Sequence, residues 1–216
     1  MNGEKRNPSL RVGPSALRQD DKLRKRTSGA ASCVCSHAST SMNAMDPNRR
    51  AVLKLGVVDF GVEHASLPNG VEIDLAVIRH PGASAIVALD DDGQVAMLNQ
   101  YRYAIGGYLW EVPAGCRSAK ETPLQCAHRE LAEEAGLAAT RWDHLGSIVT
   151  IPSFCDERID LYLARELRFA TAAKDIDEVI SVKKIALTET MRMIREGEIV
   201  DAKTIAALYR TRDLLG

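Results

Sequence analysis

The chain has 216 residues, 26% of them charged and 45% hydrophobic, and a formal net charge of −1. That length builds one well-buried core rather than two, and a balance so near zero excludes a whole-chain attraction to nucleic acid. No apolar run approaches the roughly 20 residues of a membrane span, so neither nucleic acid nor a membrane is an expected partner.

The charge is unevenly spread. Up to Met45 there are eight Lys and Arg against three Asp and Glu, which leaves the rest of the chain acidic. Residues 1–48 are rich in Ser, Arg and Lys, lack Phe, Trp and Tyr, and show no sustained period. They read as a disordered basic tail. A transit peptide is the alternative, opposed by Glu4, Asp20 and Asp21; a translation start at Met42 or Met45 is a third. The five cysteines, Cys33, Cys35, Cys116, Cys126 and Cys155, are odd in number, and no apolar signal segment precedes them. Free thiols and a cytoplasmic location are the expectation. Cys33 and Cys35 form a C-x-C without the second ligand pair that a zinc site needs.

From about residue 49 the pattern predicts one domain. Val52–Phe60 and Val62–Ser66 read as strand, Leu67-Pro68-Asn69-Gly70 as a turn, and Val71–Ile78 as the returning strand, so the N-terminal strands occupy about 51–80. Ala85–Leu89 and Gln94–Asn99 form a second pair around the turn Asp90-Asp91-Asp92-Gly93. Thr122-Pro123-Leu124-Gln125 then supplies an N-cap Thr, a Pro at the first helical position and a Gln at the third. Gly136 stands where a left-handed residue ends a helix. Leu124, Ala127, His128, Leu131 and Ala135 are expected to face the core. Strands resume at about Arg141–Thr150, Arg158–Ala164 and Val179–Ile185. Two helices follow, one from near Thr188 to Gly197 and one from near Asp201. Strands before, between and after a few helices make a mixed α/β sandwich, not a repeating βαβ wind.

The chemistry lies on the first helix. Glu130, Glu133 and Glu134 are three and four residues apart, so their carboxylates converge and repel by a few tenths of a kcal/mol per pair, roughly. A hard divalent cation relieves that repulsion, and oxygen ligands of this kind suit Mg²⁺ or Mn²⁺. The spacing from Gly115 runs through Glu121, then Arg129-Glu130-Leu131-Ala132-Glu133-Glu134-Ala135-Gly136-Leu137. It resembles the Nudix box, G-x₅-E-x₇-R-E-U-x-E-E-x-G-U with U aliphatic, at every specified position across 115–137. Nine such positions coincide by chance on the order of 10⁻⁷ times in a chain this long. Arg129 stands i to i+4 from Glu133 and can orient it while neutralising part of the charge.

Resemblance to the Nudix hydrolases implies an α/β/α sandwich with a mixed sheet, preceded here by the N-terminal β-rich segment. It implies metal binding by Glu130, Glu134, usually Glu133, and the carbonyl of Ala114, with Glu121 supporting the loop. Gln100-Tyr101-Arg102-Tyr103 and Trp110-Glu111-Val112-Pro113-Ala114-Gly115, with Pro152 sixteen residues beyond Gly136, resemble the ADP-ribose pyrophosphatase branch. Asp201-Ala202-Lys203-Thr204 resembles that branch's last helix. The expected reaction is hydrolysis of ADP-ribose to AMP and ribose 5-phosphate with Mg²⁺. GDP-mannose, other nucleotide sugars and NADH remain as alternative substrates, and a non-catalytic binding module or a nucleoside triphosphatase as alternative functions. Arg102 has the donor fork for a phosphate or a ribose hydroxyl. Tyr101 and Trp110 offer stacking surfaces for adenine, and Glu111 an acceptor for an adenine amine or ribose hydroxyl. The base is expected at Glu178 in the acidic stretch 175–178, with Glu157 the second candidate. That branch also commonly pairs as a homodimer through its N-terminal strands and completes each site across the interface.

Overall fold

The computed structural model describes residues 48–172 and 179–216. The basic tail up to residue 47 and the acidic stretch with Glu178 lie outside the described residues.

The domain begins with a three-stranded antiparallel sheet, β1 (Arg49–Leu55), β2 (Val58–Ser66) and β3 (Glu72–Arg79). The single strand expected over 52–60 is two. Leu55 pairs with Val58 across a two-residue turn at Gly56-Val57, where Gly56 has φ of +57°. That left-handed backbone is open to Gly without steric cost, and the unbroken apolar run around it hid the reversal. The turn expected at 67–70 forms, with the Gly70 amide donating to the Leu67 carbonyl at 2.8 Å.

A mixed four-stranded sheet carries the sandwich. Its strands are β4 (Ala83–Ala88), β7 (Ala114–Cys116), β8 (Leu137–Val149) and β9 (Arg158–Phe169), in the order β7-β4-β9-β8. β4 runs parallel to β9; the other pairings are antiparallel. A second antiparallel sheet joins β5 (Gln94–Arg102) to β6 (Gly107–Glu111) on one side and β10 (Ile180–Ala186) on the other. Asp90 shapes the β4–β5 turn, its Oδ1 accepting from the amides of Asp92 and Gln94 at 3.1 and 2.8 Å.

Every residue of β4 is buried because both faces of its sheet are covered. Ala85 and Val87 point into one cluster with Leu161, Leu163, Ile199 and Leu208. This is the side of α2 (Leu187–Arg195) and α3 (Ala202–Leu215). Ile86 and Ala88 point the other way, into a cluster with Tyr162, Ala127 and Leu131. Ala127 and Leu131 belong to α1 (Pro123–Ala135). Such period-two alternation is the strand's own geometry. Burying a side chain such as Ile86 or Leu131 stabilises by roughly 1.5–3 kcal/mol. A helix cap contributes about 1 kcal/mol, so packing outweighs capping in holding α1.

The expected signals nonetheless set the ends of α1. Thr122 Oγ1 accepts from the Gln125 amide at 3.2 Å, and Gln125 Oε1 accepts from the Thr122 amide at 2.9 Å. Gly136 closes the helix at φ +66°. The inward face matches the apolar one expected at Ala127 and Leu131 and differs at Leu124 and His128. Cys126, Ala127, Glu130, Leu131 and Glu134 are buried, while Leu124 is 39% exposed. His128 is exposed, its ring tilted against Trp142 at 4.3 Å. The helix is turned so that two carboxylates look inward, toward β7.

Candidate active site

Gly115 sits in β7 directly beneath α1. A Cβ built there would lie 2.1 Å from Glu130 Oε1, so only glycine lets this strand and this carboxylate approach so closely. One residue earlier, the Ala114 amide donates to Glu134 Oε2 at 2.7 Å. Glu130 and Glu134 are 8% and 5% exposed. The strand therefore presses two carboxylates of the helix into a fixed place rather than leaving them on a solvated face.

Arg129 answers that concentration of charge. Its guanidinium donates to Glu121 at 2.7 and 3.0 Å, to Glu130 at 2.6 Å and to Glu133 at 2.9 Å. It also donates to the Cys116 carbonyl at 2.9 Å, tying the helix to the end of β7. The expected pair with Glu133 is thus one arm of a larger hub. Hydrogen bonding from Arg129 holds the Glu121 carboxyl down at about 2, and the Ser118 amide, donating to Glu121 at 2.9 Å, adds to the effect. Glu121 thereby braces the loop between β7 and α1.

These groups border a cavity of about 680 Å³, whose walls include Ala114, Glu130, Arg102, Glu157 and Lys203. The wall away from α1 is organised by Glu111, which is 1% exposed. Arg102 grips Glu111 with two hydrogen bonds of 2.8 Å, and the Lys203 ammonium donates to the same carboxylate. Burial alone would raise the Glu111 pKa. The Arg102 hydrogen bonds and the Lys203 charge overcome it and hold the group below the usual carboxylate range. Glu111, expected as a ligand acceptor, is occupied inside the protein by this ion triad.

Lys203 arrives on the first turn of α3. Asp201 caps that helix, accepting from the Thr204 amide at 3.0 Å and from Lys203 Nζ at 3.0 Å. Thr204 Oγ1 in turn accepts from the buried Val112 amide at 3.0 Å, docking α3 on the link between β6 and β7. The stretch 201–204 was legible as a helix start. That Lys203 would share a cavity with Arg102 was not, because nothing in a linear pattern shows which strand a distant helix meets.

Glu157 also lines the cavity, accepting from Thr150 Oγ1 at 2.6 Å. The aromatic candidates stand elsewhere. Tyr101 is 40% exposed and packs edge-on to Tyr108 at 5.4 Å. Trp110 packs on the core cluster with the Lys183 ammonium 5.5 Å from its ring centre. The cavity wall of this chain includes neither.

The donors meet the chemistry of a hard divalent cation: carboxylates on one helix, with Ala114 of β7 against them. Among the described residues, no three His, Cys, Asp or Glu side chains are gathered into a ready cage. Arg129 holds Glu121, Glu130 and Glu133 and the Ala114 amide holds Glu134 on hydrogen bonds, which offsets the mutual repulsion of these four carboxylates.

A family model described as NUDIX domain matches residues 78–208. The chain is 34% identical over 154 residues to an ADP-ribose pyrophosphatase of Bacillus subtilis (strain 168), covering 70% of this chain and 83% of that one. It is 38% identical over 149 residues to an ADP-ribose pyrophosphatase of Mycobacterium tuberculosis (strain ATCC 25618 / H37Rv), covering 68% and 72%. A crystal structure of an ADP compounds hydrolase matches with a TM-score of 0.68 at 20% identity, over 78% of this chain and 92% of that one, a likeness of fold. The mixed α/β sandwich, the box wrapped around β7 and α1, and a family match over more than half the sequence agree: this chain belongs to the Nudix hydrolase family.

Proposed function

We propose that this protein hydrolyses the pyrophosphate of a nucleoside diphosphate sugar, and that ADP-ribose, cut to AMP and ribose 5-phosphate, is its preferred substrate. One observation carries the reading. A carboxylate edge at Glu130 and a cationic edge at Arg102 and Lys203 border the same cavity of about 680 Å³, a size suited to a nucleotide sugar. The two relatives named as ADP-ribose pyrophosphatases support the choice of sugar.

Glu130, Glu133, Glu134 and the Ala114 carbonyl would hold Mg²⁺, with Mn²⁺ as substitute. Bound there, the cation supplies charge neutralisation at the diphosphate and acidifies a water. The chain's own groups do the rest. Arg129 keeps Glu133 in place. Arg102 retains its guanidinium edge for a phosphate oxygen while Glu111 fixes its direction. A carboxylate takes the proton of the attacking water, whose oxygen joins one phosphorus as the bridging P–O bond breaks. Glu178 is assigned that role, and Glu157 a supporting one inside the cavity. Glu178→Gln is therefore expected to slow turnover far more than Glu157→Gln; the opposite ranking in kcat moves the base to Glu157.

The test is a panel of ADP-ribose, GDP-mannose, NADH and a nucleoside triphosphate with Mg²⁺, products separated by chromatography. ADP-ribose should give AMP and ribose 5-phosphate at the highest kcat/KM, and chelation with EDTA should stop it. Preference for the triphosphate, or binding of ADP-ribose without cleavage, would refute the proposal.

A further inference from the structure

The loop that joins β3 to β4, His80-Pro81-Gly82, is pinned from several sides although it lines no part of the cavity. Arg79 pairs with Asp156 at 3.0 Å, and the other oxygen of Asp156 accepts from the His80 amide at 2.8 Å. Arg117 donates to the Pro81 carbonyl at 2.7 and 3.0 Å, and its amide donates to the Gly82 carbonyl at 3.0 Å. The imidazole so held is nearly buried, its side chain 10% exposed.

Its two nitrogens have different surroundings. Nδ1 accepts the Gly82 amide proton at 3.1 Å, which places the ring's own proton on Nε2. Nε2 faces the cavity wall, hydrogen-bonded to Cys116 Sγ at 3.4 Å and 3.6 Å from Glu157 Oε1. Glu157 Oε2 is held from its other side by Thr150 Oγ1 at 2.6 Å. One carboxylate of the cavity thus accepts from Thr150 at one oxygen and has the imidazole edge of His80 within ion-pair range, 3.6 Å, of the other.

We propose that His80 is a positioning residue for Glu157: with Thr150, it fixes the direction in which that carboxylate enters the cavity, and so acts on turnover without touching substrate. The inference rests on reading the cavity as the hydrolytic site. A packing role for His80 would explain its burial, but not the placing of its Nε2 edge, shared with Cys116 Sγ, beside a cavity carboxylate.

Three measurements test it. In wild-type protein, ¹⁵N–¹H NMR of the histidine side chains should show His80 as the Nε2–H tautomer; the Nδ1–H tautomer overturns the proposal. This readout uses the resting protein, so it judges the inference even if no nucleotide sugar is cleaved, and the two failures are told apart. On the best substrate of the panel, His80→Leu should lower kcat by ~10–100-fold while KM moves little, as removal of an outer-layer orienting group does. His80→Gln, whose amide reaches toward the same point, should recover most of that loss. In a Glu157→Gln background His80→Leu should add no further loss, since the two act as one unit. Additive losses, or wild-type kcat in His80→Leu, overturn it. If His80→Leu fails to fold, Thr150→Val takes its place in the same cycle, with the same outcomes deciding.

Discussion

Arg129 turns a group of mutually repelling carboxylates into an ordered set, and Glu121 shows the consequence for pH. Its folded-state pKa lies at about 2, against 4.5 for the free group. A depressed pKa contributes stability that is fully present above the unfolded value and is lost as pH falls through the folded one. The difference in Tm between wild type and Glu121→Gln should therefore be largest above pH 4.5 and shrink toward pH 2; a pH-independent difference would contradict the Arg129–Glu121 assignment. Glu134→Gln keeps an acceptor for the Ala114 amide, so the fold should survive by circular dichroism. Turnover should still fall by on the order of 10²-fold or more through the lost charge; wild-type activity would remove Glu134 from the metal-binding set. The Arg129–Glu133 pair was legible in the sequence because a helix fixes the relation of residues four apart. The engagement of Glu111 was not. Its partner Lys203 is 92 residues away, and the same Trp-Glu pattern fits a ligand acceptor and an internal ion pair equally well.

At the scale of elements, the caps of α1 were readable to the residue, since each end is written in local chemistry. Its inward face was legible only in part: apolar spacing found Ala127 and Leu131 but also pointed to Leu124 and His128, where the helix instead turns Glu130 and Glu134 inward against Gly115. Strand limits were blurred for a similar reason. β8 starts at Leu137, immediately after the cap, and pairs out to Phe169, with Arg165, Glu166 and Arg168 interrupting the alternation that would have announced it. The β7–α1 contact yields its own prediction. In Gly115→Ala the new methyl meets the far end of Glu130, which can swing away, so Tm should change little. The displaced carboxylate should cost ~10–100-fold in kcat. A variant that keeps full activity would mean that Glu130 does not work from its present position.

At the scale of the molecule, β1–β3 carries an unusual surface. The pairing register puts Leu53, Leu55, Val58, Phe60 and Val62 on one face, with Leu53 and Leu55 53% and 74% exposed. A contiguous apolar face of this kind marks an interaction surface, and the homodimer expected from the sequence is proposed to form through it. Gel filtration with light scattering should give twice the chain mass of 23.6 kDa, and Leu55→Glu with Val58→Glu should return monomer; a monomeric wild type would end the proposal. That Glu111 shares its charge with Lys203 has a bearing on biosynthesis. During translation the β6 strand leaves the ribosome long before the residue that helps neutralise its buried acid. Until α3 docks, Glu111 has only Arg102 of its two cationic partners, so this wall of the cavity is completed late in chain elongation.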